Sequence, residues 1–121
     1  MFARLILSIA FSGLLMCAPA HAEFPLSTYD DLKDDKDFKS YMTGVARGVF
    51  WANAYLDAKG QPRLFCFPPK LGFDAAIALS VLNQAVLEER KMGTKGDASL
   101  ELILTSGLSR KFPCESEKEQ N

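Results

Sequence analysis

The sequence predicts an all-α fold: a small bundle of three main helices preceded by a short one and closed by one disulfide. Three observations point there. Apolar residues recur at steps of three and four over three long segments. Glycine and proline punctuate the stretches between those segments. The alternating pattern and two-residue turn of a β-hairpin are missing, as are internal repeats and low-complexity runs.

The chain opens with Arg4, an apolar run from Leu5 to about Met16, and the small-residue site Ala20-His21-Ala22, the layout of a secretory signal peptide cut after Ala22. Two rivals are weaker. A retained membrane anchor needs about 20 apolar residues, more than this stretch offers before Cys17 and Pro19. A lipid anchor on Cys17 would place Met16 where the processing peptidase favours a small residue. The expected organisation is therefore a signal peptide over 1–22, one helical domain over 23–114, and a charged, disordered tail over 115–121, with export of the mature chain and no mature membrane span.

Within the domain, Ser27 and Thr28 each precede an acid by three residues (Asp30, Asp31), a capping-box pattern for a short helix through Leu32 and Lys33. The charged run from Asp30 to Lys39 reads as a solvated surface, because its interleaved lysines neutralise most of the carboxylates, and no metal is assigned to it. From about Asp37 to Ala58, Phe38, Tyr41, Met42, Val45, Val49, Ala52 and Leu56 follow the helical period. Gly44, Gly48 and Ala52 fall every fourth residue and leave a stripe without bulk. Close packing inside the monomer is the simpler account of it, and a dimer seam is the alternative. Asn53 either bonds a buried backbone group or faces water. Gly60 and Pro62 end this helix.

Pro62, Pro68 and Pro69 make Gln61 to Lys70 an extended connector, with Phe65, Cys66 and Phe67 held against the core. A third helix runs from about Phe73 or Asp74 to Lys91, with Ala75, Leu79, Leu82 and Val86 on one face and Ile77, Val81 and Ala85 beside them. Gly93-Thr94-Lys95-Gly96 breaks it and Asp97 is placed to cap the last helix, whose stripe is Leu100, Ile103, Leu104, Gly107 and Leu108. Pro113 then stops that helix beside Cys114.

Much chemistry is excluded by composition. Once 1–22 are removed, 99 residues remain with 13 basic and 15 acidic side chains, so no nucleic-acid footprint is expected. The single histidine, His21, leaves with the signal, and so does Cys17. Cys66 and Cys114 form an even pair in an exported chain, which is most economically a disulfide. That leaves no thiolate or imidazole to build a nucleophile, no haem motif and no phosphate loop; no cofactor is expected. Glu88 and Glu89 are adjacent and point apart on a helix, so they read as a solvated last turn rather than a catalytic dyad.

The series Tyr41-x-x-Gly44-x-x-x-Gly48, then Asn53, then Leu64-Phe65-Cys66-Phe67-Pro68, and finally Phe112-Pro113-Cys114 resembles the Rap/Tai family of immunity proteins, over roughly Tyr41 to Cys114. The resemblance implies a periplasmic binding protein, often a homodimer and not an enzyme, that blocks a peptidoglycan amidase effector delivered by a type VI secretion system. Inhibition would consist of filling the substrate groove. The candidate plug is the turn carrying Arg90, Lys91, Met92, Gly93 and Lys95, for which an ordinary solvated loop is the simpler account. It is also where the chain departs from the family, which often has a His-Pro pair there. The alternative function is a small periplasmic stress protein of chaperone type, unrelated to toxin immunity.

Overall fold

The computed structural model describes residues 23–115; the expected signal peptide and nearly all of the expected tail lie outside the described residues. A 3-10 turn, Leu26–Thr28, leads into α1 (Tyr29–Leu32), followed by α2 (Lys36–Ala58), α3 (Ala75–Lys91) and α4 (Leu100–Lys111). The fold is the small all-α bundle expected from the periodicity, closed by the Cys66–Cys114 disulfide.

The helix starts follow side-chain capping. Asp35 accepts from the Phe38 amide at 2.8 Å and begins α2, and Asp74 accepts from the Ile77 amide at 2.9 Å and begins α3. Two expected caps differ. Ser99, not Asp97, caps α4 by accepting from the Leu102 amide, because the extended backbone needed at a cap falls at Ser99. No capping box forms at Ser27 and Thr28: the 3-10 turn already holds Thr28 in helical backbone, and its hydroxyl turns back to the Pro25 carbonyl at 2.7 Å.

The core is Phe38, Met42 and Ala46 of α2, Ala78, Val81, Leu82, Ala85 and Val86 of α3, and Leu100, Ile103, Leu104 and Leu108 of α4, closed by Leu26, Tyr29 and Phe65. The α4 stripe is buried as its spacing required. On α2 the buried line runs through Phe38, Met42, Ala46 and Asn53, while Tyr41 and Ala52 lie outside it and are exposed. On α3, Ala75 is exposed and Leu79 half-buried, since the buried line is rotated toward Ala78 and Val81.

Close helix approach occurs at a glycine other than the two expected. A Cβ at Gly107 would stand 2.8 Å from the Ala85 Cβ and 3.2 Å from Val81 Cγ1, so the α3–α4 contact is set by the missing side chain of Gly107. At Gly44 and Gly48 a Cβ would meet nothing within 4 Å. The expectation that these two pack inside the monomer is therefore wrong; their face of α2 is turned away from the bundle.

The N-terminal segment is tied to the α3–α4 loop. Leu26 N–H donates to the Ala98 carbonyl at 2.8 Å, Ser27 N–H to Gly96 at 2.9 Å, and Leu100 N–H to the Phe24 carbonyl at 2.8 Å. No helix among the described residues is long and apolar enough to cross a membrane.

Candidate functional site

Most of the residues that carry the family-like signature meet at one end of the bundle. Asn53, buried on α2, accepts from the Leu64 amide at 2.6 Å and the Phe65 amide at 3.3 Å, and donates to the Phe65 carbonyl at 2.9 Å. One carboxamide thereby satisfies the connector's backbone where no strand or helix does so. The next residue, Cys66, donates its amide to the Phe112 carbonyl at 2.8 Å and is bridged to Cys114 just past Pro113. Phe67 packs edge-on against Phe112 with ring centroids 4.8 Å apart, and Phe50 stacks on Phe73 at 5.0 Å. The Pro68 carbonyl accepts from Leu71 in the turn that follows. This assembly fixes the connector between α2 and α3.

The outward face of α2 is different in character. Tyr41, Gly44, Gly48, Trp51 and Tyr55 succeed one another at steps of three, four, three and four, the spacing of a helix–helix seam. Trp51 is 70% exposed and Tyr55 63%, with the Lys59 ammonium 5.5 Å from the Tyr55 ring centre. Tyr41 donates its hydroxyl to Glu101 at 2.9 Å, and that bond raises its phenol above the ordinary value of 10.0. The stripe thus has a flat, side-chain-free middle and an aromatic end.

The turn after α3 is a second surface. Gly93 takes a left-handed backbone (φ +76°), and the Thr94 amide and hydroxyl both bond Glu89, at 3.0 Å to its carbonyl and 2.5 Å to its carboxylate. Arg90 is not free for a partner: it chelates Asp30 at 2.8 and 3.3 Å and lies 5.9 Å from the Tyr29 ring centre. Its hydrogen bond draws the Asp30 carboxyl below 3.8. Lys91, Met92 and Lys95 remain exposed, Met92 at 65%. The turn is braced from within and shows one apolar and two basic side chains to solvent.

Glu88 and Glu89 are not the solvated pair expected. Arg110 of α4 reaches back to Glu88 at 3.1 Å and Glu89 at 3.2 Å, and the Glu89 side chain is only 15% exposed. These contacts join α3 to α4, and each carboxylate has a partner. No group of histidine, cysteine or carboxylate side chains among the described residues is arranged to hold a metal.

Reading along the chain missed Trp51, Tyr55, Glu101 and Arg110. The first two had a detectable signal, since they share the register of Gly44 and Gly48 and are out of phase with Phe38 and Met42. Comparison with protein-family models, curated proteins and solved structures yields no match to this chain.

Proposed function

We propose that this chain is a periplasmic immunity protein that binds and occludes a cell-wall amidase effector without catalysing a reaction. The observation that carries the reading is the α3–α4 turn: a loop held by Gly93, Thr94–Glu89 and Arg90–Asp30 that leaves Lys91, Met92 and Lys95 exposed. A pre-ordered loop loses little conformational freedom on entering a groove, so more of its contact energy appears as affinity. Met92 adapts to an apolar pocket, and the two lysines favour an acidic rim. The Tyr/Gly/Gly, Cys-x-Pro and Phe-Pro-Cys series supports the same assignment.

The exposed stripe of α2 supports a homodimer. Paired antiparallel about Gly48, it would set Trp51 of one copy over the flat Gly44 region of the other and Tyr55 against Tyr41, a self-complementary contact of the kind a two-fold axis requires. The two aromatic side chains alone expose on the order of 300 Å² per copy.

The decisive experiment is calorimetric titration of the mature protein with the amidases encoded in its own genome, together with competition between wild-type and deletion cells. Binding that weakens at least tenfold in Met92→Asp, with the fold intact, is expected. The absence of any binding amidase, with deletion cells unharmed by their sisters, would refute the assignment. Suppression of client aggregation after acid-induced monomerisation would favour the stress-protein alternative instead.

A further inference from the structure

Glu101, in the first turn of α4, gathers donors from three places. Its carboxylate accepts from the Phe24 amide at 3.1 and 3.3 Å, from the Tyr41 hydroxyl at 2.9 Å and from the Ser99 hydroxyl at 2.8 Å. All three are neutral donors. Among the described residues no lysine or arginine lies within ion-pair distance of it. A second carboxylate, that of Glu23, is close enough to act on the Tyr41 phenol. The Glu101 carboxylate therefore faces the start of the domain with no cation within ion-pair distance among the described residues.

Glu23 is also the residue that the signal-peptidase site would expose. In that hydrolysis water adds across the Ala22–Glu23 peptide bond: the hydroxyl joins the Ala22 carbonyl carbon, the proton goes to the Glu23 nitrogen, and the new amine takes up a further proton at neutral pH. The resulting ammonium stands one residue from Phe24 N, at most about 3.6 Å along the backbone. Phe24 N is itself in contact with Glu101.

From this juxtaposition we infer that Glu101 is a binding site for the chain's own new N-terminus, an ammonium latch completed only when the signal peptide is removed. The inference rests on the reading that export cuts after Ala22. The latch acts on more than the terminus. The segment it anchors continues into the hydrogen bonds from Leu26 to Ala98 and from Ser27 to Gly96, which hold the far side of the loop bearing Lys91, Met92 and Lys95. Gly96 is also in close contact there, since a Cβ on it would lie 3.3 Å from the Ser27 Cβ. Cleavage thus braces the proposed contact loop from its C-terminal side, and the mature chain presents a firmer loop than the precursor.

The test uses the mature chain Glu23–Asn121 with a free α-amine and the same chain Nα-acetylated, each with and without Glu101→Gln. Acetylation removes the charge and keeps an amide donor, so a merely steric or hydrogen-bonding role would not respond. With Glu101 present, acetylation is expected to lower the thermal midpoint by about 3–6 °C. In the Glu101→Gln background the effect is expected to fall below about 1 °C. An unchanged midpoint on acetylating the unsubstituted chain overturns the latch even if Glu101→Gln fails to fold, and so does an equal loss in both backgrounds. Mass spectrometry of the exported protein tests the premise separately: a terminus other than Glu23 removes the latch from the cell, whatever the four-chain comparison shows.

Discussion

Gly107 and Gly48 are chemically the same residue in two helices, and their surroundings assign them opposite fates. An alanine methyl at Gly107 would press on Ala85 and Val81, backed by the α3 main chain, so Gly107→Ala should destabilise by about 2 kcal/mol. Gly48→Ala meets open space in an exposed helix, and should stabilise the isolated chain by about 0.5–1 kcal/mol. Urea denaturation at monomeric concentration reads both. Tyr29 supplies a pH prediction. Burial raises its phenol above 10.0, opposed by Arg90 and assisted by Asp30 and Asp34, while its hydroxyl donates to Asn83 at 3.1 Å. The folded chain thus keeps a proton that the unfolded chain releases first. Stability is intact below about pH 10 and falls as the pH rises through the folded-state value. Tyr41 shifts in the same direction. Tyr29→Phe should therefore flatten, without abolishing, the loss of urea midpoint between about pH 9 and about pH 11.

At the scale of elements, the connector between α2 and α3 tests how a segment without regular structure is held. It has two independent attachments, Asn53 with its three hydrogen bonds and the disulfide 48 positions in span. Asn53→Ala leaves the buried amide and carbonyl of Phe65 and the part-buried amide of Leu64 unpaired, and should cost about 3 kcal/mol. Replacing both cysteines by serine restores freedom to the unfolded chain and should cost about 4 kcal/mol. Because Phe65 is buried in the core and Asn53 holds its backbone independently of the bridge, the helical circular-dichroism signal should survive reduction at room temperature, with a lower thermal midpoint. Collapse of helicity on reduction would show that the bridge, and not the core, holds α2 to the hairpin of α3 and α4.

At the scale of the whole molecule, the described residues of the bundle pack on one face of α2 and leave Gly44, Gly48, Trp51 and Tyr55 on the other exposed. If that stripe is a subunit contact, Trp51→Ser combined with Tyr55→Ser should convert a dimer to a monomer in sedimentation velocity while leaving the helical signal unchanged, since both side chains are mostly exposed to solvent. A monomeric wild-type chain would remove the dimer from the proposal and leave the loop-mediated binding untouched. The loop and the stripe are separate surfaces, so Met92→Asp and the aromatic double variant should act independently on amidase binding and self-association.

The helices were legible in the sequence because a 3.6-residue period and short punctuated connections leave few other ways to bury Leu100, Leu104, Leu108, Leu82 and Val86. The cysteine pairing was legible for a simpler reason, since the domain contains only two. What the sequence could not decide was orientation about each helix axis. Tyr41, Ala52 and Ala75 fit the apolar period but lie outside the buried lines, because a period marks a stripe without saying where a neighbour's backbone will be. The same ambiguity hid the roles of the glycines: Gly44 and Gly48 look like a packing motif from spacing alone, and only the approach of α3 to α4 shows that Gly107 is the one in contact. Long-range polar partners were beyond reach for a related reason. Asn53 with Phe65, Arg110 with Glu88 and Glu89, and Glu101 with Phe24 and Tyr41 are set by how rigid elements are positioned after the core has formed, and local sequence carries no record of that geometry.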